Sequence, residues 1–156
     1  MTCGDTNFRV LFRDKYLREP NELPDLVEWL RTATMNGTNL NLLEYHLPEF
    51  HRCIDVDGGP YHDEDVFEHL ILACREAAKF PATIRLAALV HDLGKPDTAK
   101  MRPRKDGSLR QTFYGHEIVG ETIVRDLLTR LRFDSTIVEH VAGLTRHHMF
   151  FFPPIH

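Results

Sequence analysis

The sequence has no long apolar run. Its longest wholly apolar segment is Leu86-Ala87-Ala88-Leu89-Val90, far short of the ~20 residues of a membrane span. The opening MTCGDTNFRV has no apolar h-region, so a secretory signal is not expected. Cysteine is scarce. Cys3, Cys53 and Cys74 are widely spaced and form no CxxC, which excludes a disulfide framework and fits free thiols in a reducing compartment. Positive charge is not in excess: 19 Lys and Arg stand against 23 Asp and Glu, a net −4. Attachment to nucleic acid by global charge is thereby excluded, although a local basic patch is not. There is no internal repeat and no low-complexity tract. A cytoplasmic globular protein with no membrane partner is expected; the sequence gives no oligomeric state.

What the sequence does have is histidine. Ten are present, and six fall at 69, 91, 116, 140, 147 and 148.

The organisation is helical. FRVLF (8–12) fits a short strand or a helix start. Asn21–Pro24 opens a helix over 25–35, ended by Asn36-Gly37, and 40–50 gives a second helical pattern interrupted at Pro48. The stretch IDVDGGPYHDED (54–65) is rich in turn formers and acids and marks a boundary. This predicts an N-terminal helical extension over 1–55 and a main domain over 56–156. Beyond the boundary, Asp63 or Asp65 caps a helix running to about Lys79. Pro81 precedes a nearly all-apolar helix over 82–93, stopped by Gly94 with Pro96 blocking continuation. TAKMRP and SLRQTFY flank Lys105-Asp106-Gly107-Ser108 and predict a β-hairpin near 98–113. A third helix runs from Gly115-His116 to about Arg132, with Val119, Ile123, Leu127 and Leu131 in register. A fourth covers 135–148, with Ile137, Val141, Leu144 and His148 on one stripe. The fold class is all-α with a hairpin excursion.

His91-Asp92 ends the apolar helix. A buried ionised carboxylate costs several kcal/mol unless it is paired or bound to a cation. Lys95, one turn on, is one candidate partner. A lone inward histidine is ordinarily a hydrogen-bonded core residue. Here His69, His91, His116 and the pair His147-His148 all sit near element ends, on or beside inward stripes, around one carboxylate. Imidazole and carboxylate together suit a divalent transition metal (Mn, Fe, Co, Ni or Zn), and one Asp can bridge two ions. His140 is left as either a surface residue or one standing behind the ligands. His62, in the loop before the first of these helices, is a substrate-contact candidate. The connection after the site is basic, with Lys95, Lys100, Arg102, Arg104, Lys105 and Arg110 against Asp97 and Asp106. Lys95 and Arg146 are candidates to bind a phosphate held at the metal, and Lys100–Arg110 is a candidate RNA contact.

The phrases EHL (68–70), LVHDLGKP (89–96), FYGHE (113–117) and TRHHM (145–149), in this order, resemble the HD-domain metal-dependent phosphohydrolases. Together with PYHDEDVFEH (60–69) and LLEYHLPEF (42–50), they resemble most the HD domain of bacterial tRNA nucleotidyltransferases and poly(A) polymerases. The resemblance implies an HD-domain helical bundle with one or two metal ions that hydrolyses a nucleotide or RNA phosphoester through a metal-activated water. It implies that His69, His91 and Asp92 hold one ion. Asp92 then bridges to a second ion held by His116 and His147 or His148, with Asp92 and Lys95 catalytic. The sequence departs from the pattern in having no Asp after His148, and it ends at FFPPIH where the family continues with another helix, so a missing last helix is expected. Asp55-Val56-Asp57 is not preceded by the Gly-Ser or Gly-Gly loop of a nucleotidyltransferase head, so nucleotide addition is not assigned. The alternative is a non-catalytic, metal-stabilised RNA- or partner-binding module.

Overall fold

The computed structural model describes residues 2–59 and 63–151. Helix α1 (Thr2–Arg18) resolves the ambiguity at FRVLF. Phe8, Phe12 and Tyr16 are buried while Val10 is 52% exposed. That is the i, i+4, i+8 face of a helix, not the alternation of a strand. Phe12 and Tyr16 both meet Phe133 edge-on, with ring centroids 6.0 and 5.3 Å apart.

A 3₁₀ turn (Pro20–Glu22) leads into α2 (Leu23–Thr32). Helix α2 ends four residues before the Asn36-Gly37 stop expected from the sequence. Asn41 closes it: its Nδ2 donates to the carbonyls of Arg31 (2.7 Å) and Ala33 (3.2 Å). The Asn41 Oδ1 accepts from Glu44 N and so caps α3 (Leu42–His46) as well. Proline splits α3 from α4 (Pro48–His51), as its fixed φ dictates. Residues of α1 to α4 share one apolar core with α5, α6, α8 and α9.

Helix α5 (Val66–Glu76) is capped by Asp65, whose Oδ1 accepts from Glu68 N. Helix α6 (Ala82–Val90) is shorter than predicted. The helix ends at Val90, and residues 91–94, with His91 still at right-handed helical dihedrals, form a turn. Gly94 is not the left-handed stop expected. Its φ is −81° and it precedes a one-turn helix α7 (Lys95–Thr98) that carries Pro96 in its first turn. Glycine is required there for space: a Cβ at Gly94 would lie 2.1 Å from the His116 carbonyl oxygen and 2.7 Å from Gly120 N.

Strands β1 (Lys100–Pro103) and β2 (Leu109–Thr112) form the expected antiparallel hairpin, with Arg102 opposite Arg110. Gly107, at φ +88°, makes its turn. Helix α8 (His116–Arg130) and α9 (Ser135–Arg146) pack along each other, and α6 packs on α9 and α5. Leu127, Leu131, Val141 and His148 of the expected stripes are buried, but the buried faces extend to one side of those stripes. Gly120, Val124 and Leu128 on α8, and Val138 and Ala142 on α9, are buried, while Val119, Ile123, Ile137 and Leu144 are only half-buried. Helix α10 (His148–Phe151) follows. Among the described residues no helix is long and apolar enough to cross a membrane.

Candidate metal centre

Asp92 sits in the turn after α6 and is fully buried. Four imidazoles and one ammonium converge on it. On Oδ2 the neighbours are His91 Nε2 at 3.1 Å, Lys95 Nζ at 3.2 Å and His69 Nε2 at 3.5 Å. On Oδ1 they are His116 Nε2 at 3.2 Å and His148 Nε2 at 3.3 Å. All five neighbours are buried. Each comes from a separate segment. His69 stands one turn into α5, His91 and Asp92 lie in the turn that follows α6, Lys95 opens α7, His116 opens α8 and His148 opens α10.

The tautomers follow from the backbone. His91 Nδ1 lies 2.6 Å from the Ala88 carbonyl, His116 Nδ1 2.9 Å from Phe113 O, and His148 Nδ1 2.7 Å from Thr145 O. A carbonyl only accepts, so Nδ1 carries the proton in each, and Nε2 is the atom turned towards the centre, with a lone pair there whenever the ring is neutral. His69 is held differently, by the Glu64 carboxylate at 3.3 Å from its Nδ1. His116 Nε2 and His148 Nε2 lie 3.0 Å apart. Two lone pairs at that distance repel unless a proton or a cation lies between them. The same need applies to Asp92, where burial pushes the carboxyl pKa up. Positive charge at His91, and hydrogen bonds donated by His116, His148 and His91, outweigh that burial and hold the carboxyl well below the usual carboxylate range, a balance that requires a proton or a cation at these Nε2 atoms. A buried carboxylate ringed by Nε2 atoms is stable only with positive charge at that ring, brought by protons or by a cation.

Two donor triads result: His69, His91 and Asp92; and Asp92, His116 and His148. In each, the three ligand atoms lie within 4.8 Å of one another. Asp92 belongs to both, one oxygen turned to each. The donor set, imidazole nitrogen with carboxylate oxygen, fits a divalent transition ion, and both triads could hold one.

The remaining residues singled out in the sequence stand apart. His147 is exposed and in neither triad. Helix α9 ends at Arg146, and the turn carries His147 outward and His148 inward. Of that pair, the geometry brings only His148 to Asp92. Arg146 is exposed and binds Glu121 Oε1 at 3.0 Å. His140 is exposed. His62 lies outside the described residues. Lys95 is buried, its Nζ also 5.0 Å over the Phe113 ring. Lys100, Arg102, Arg104, Lys105 and Arg110 are exposed. Sequence reasoning missed Glu64, because a residue in a loop before a helix has no periodic signal. It also missed the Gly94–Gly120 contact that seats the His91–Asp92 turn against α8.

Residues 61–155 match the HD domain family. Among curated proteins, the chain is 39% identical over 114 residues to the CC-adding tRNA nucleotidyltransferase of Thermus thermophilus, covering 70% of this chain and 26% of that protein. It is 35% identical over 114 residues to the A-adding tRNA nucleotidyltransferase of Deinococcus radiodurans, with the same coverage. A multifunctional CCA protein of Cupriavidus necator is 35% identical over 107 residues, 65% of this chain and 24% of that protein. The chain thus spans about a quarter of the length of these relatives.

Proposed function

The chain belongs to the HD domain family, and on that premise we propose that it is a metal-dependent phosphohydrolase acting on a nucleotide or RNA phosphoester. The observation that carries this reading is one buried carboxylate shared by two histidine triads. The relatives' action on tRNA supports an RNA or nucleotide substrate and a cytoplasmic setting.

In this reading His69, His91 and Asp92 hold one divalent ion, and Asp92, His116 and His148 a second. The chemistry supplied by a bound ion is Lewis acidity towards a phosphoryl oxygen and acidification of water to near-neutral pKa. The protein's own groups do the rest. Ionised Asp92 orients the attacking water through its carboxylate. Lys95, a cation and not a ligand, offsets charge on the equatorial phosphoryl oxygens. The backbone carbonyls behind His91, His116 and His148, and Glu64 behind His69, fix each ring so that Nε2 faces inward. Arg146 and His62 are proposed to contact the substrate from outside the centre, Arg146 by exchanging Glu121 for a phosphate. His147 is not retained as a ligand. The domain boundary near residue 55 is retained as a proposal.

Elemental analysis of the native chain beside Asp92→Ala tests this, with turnover of p-nitrophenyl phosphate and a nucleoside 2′,3′-cyclic phosphate. The expected result is one or two equivalents of Mn, Fe, Co, Ni or Zn, lost with turnover in the variant. A native chain that neither contains nor takes up Mn, Ni or Zn removes the proposal. Metal without turnover of any phosphoester leaves the non-catalytic RNA-binding reading, which the exposed basic hairpin favours.

A further inference from the structure

The hairpin carries an arrangement that folding alone does not explain. Arg102 and Arg110 face each other across the two strands, and like charges directly opposite are destabilising. Both are exposed. Among the described residues outside the hairpin, Arg9, Arg13 and Arg85 bond to hydroxyl, carbonyl or amide oxygens, while seven arginines pair with carboxylates. Arg102 and Arg110 do not. Their partners are Thr112 Oγ1, 3.1 Å from Arg102 Nε, and Tyr114.

Both guanidiniums gather at Tyr114. Arg102 Cζ lies 5.0 Å from the ring centroid and Arg110 Nη2 3.4 Å from the hydroxyl. Tyr114 itself is 65% exposed. Lys100, two residues before Arg102 on β1, shares their face of the hairpin. That face therefore presents three cations and an aromatic ring to solvent. It also leads directly to the centre. Strand β2 runs into Phe113, whose carbonyl accepts from His116 Nδ1 and whose ring lies under Lys95.

We propose that the Lys100–Arg102–Arg110–Tyr114 face binds single-stranded RNA, its phosphates on the cations and a base on Tyr114, and leads the strand to the phosphoester site. The last clause rests on the phosphohydrolase reading; the binding does not. Charge that tracks the backbone beside a ring that stacks a base is the composition of single-strand nucleic-acid surfaces. An acidic peptide would use the charges and leave the ring idle.

The test is fluorescence anisotropy of the full chain with a fluorescein-labelled single-stranded RNA of ten nucleotides, titrated with salt. Arg102→Gln/Arg110→Gln is expected to weaken binding about tenfold. Loss of two phosphate contacts should also flatten the log–log salt slope by about 1.4. Arg18→Gln/Lys79→Gln makes the same change in net charge at exposed positions elsewhere and should leave affinity unchanged. Tyr114→Ala should weaken binding and Tyr114→Phe should keep it. Turnover of p-nitrophenyl phosphate, too small to reach the hairpin, should be the same in all these variants, and thermal melts check that they fold. The proposal is overturned if the native chain does not bind the RNA, if both glutamine pairs lose affinity alike, or if polyglutamate competes as well as unlabelled RNA. Failure of the phosphohydrolase reading shows separately, as absent p-nitrophenyl phosphate turnover with anisotropy unaffected.

Discussion

Glu64 Oε1 lies 3.3 Å from His69 Nδ1, whereas main-chain carbonyls stand behind Nδ1 of His91, His116 and His148. A carboxylate behind a ligating imidazole raises its basicity and fixes its orientation. The two triads are therefore unequal. The triad of His69, His91 and Asp92 should load first. Glu64→Gln should weaken that step by ~10–100-fold and leave the second step close to native. Calorimetric titration with Co(II) or Ni(II) resolves the two; an equal loss in both steps, or none, would sink the asymmetry.

Acid should strip the metal through the imidazoles and not through Asp92. Asp92 is held well below the usual carboxylate range, so competition between protons and metal for the imidazole nitrogens governs release. Retention of Zn or Mn during dialysis should fall as the pH is lowered while Asp92 is still ionised, because protons compete with the metal for the imidazoles. The sign for Asp92 itself is the usual one for a depressed carboxyl. Its contribution to stability is present above the unfolded pKa of ~3.9 and is lost only as pH falls through the lower folded value. Metal release that followed a carboxylate titration near pH 4, with the imidazoles already charged, would contradict this order.

Three glycines give a graded series. Gly94→Ala drives a Cβ into backbone atoms of His116 and Gly120 and should cost about 3 kcal/mol or more, the top of the overpacking range. Gly120→Ala meets the Thr145 methyl at 3.3 Å and should cost less, since a side chain yields more easily than backbone. A Cβ at Gly143 would meet no atom within 4 Å, and Gly143 lies within α9, so Gly143→Ala should stabilise by ~0.4–1 kcal/mol. Urea denaturation ranks the three. A Gly94→Ala chain as stable as the native one would refute the contact.

Burial pushes the thiols of Cys53 and Cys74 up, that of Cys74 to about 12. In a Cys3→Ser background, neither should react with a thiol-exchange reagent at pH 8 until the chain is unfolded. The linkage follows from the direction. Protonated thiols are compatible with the fold, so their effect is nil below the unfolded pKa of ~8.5, and stability declines as pH rises above it. Rapid labelling of the native chain at pH 8 would place one thiol nearer the surface.

The helical framework and the convergence of His69, His91, Asp92, Lys95 and His116 were legible because helical period and element ends place side chains by short-range rules. The limits of legibility are equally physical. FRVLF fits two periods over five residues, and only Tyr16, a turn further on, separates them. The choice between His147 and His148 depends on where α9 stops. One residue of overrun rotates the pair by about 100°. Asn41 closes α2 from nine residues beyond its last residue, Thr32, a tertiary contact without local signal. Arg102 faces Arg110 because the turn at Gly107 fixes the register, which composition alone does not set.

The close approach of Gly94 to α8 has a metrical consequence. The turn bearing His91 and Asp92 and the helix bearing His116 touch through main chain, with no side chain as a spacer. The separation between the two halves of the centre is thus gauged by the thickness of a peptide backbone. Rotamer changes cannot lengthen it. Tuning by substitution can alter which ions the triads prefer, but the interval between them belongs to the chain trace itself.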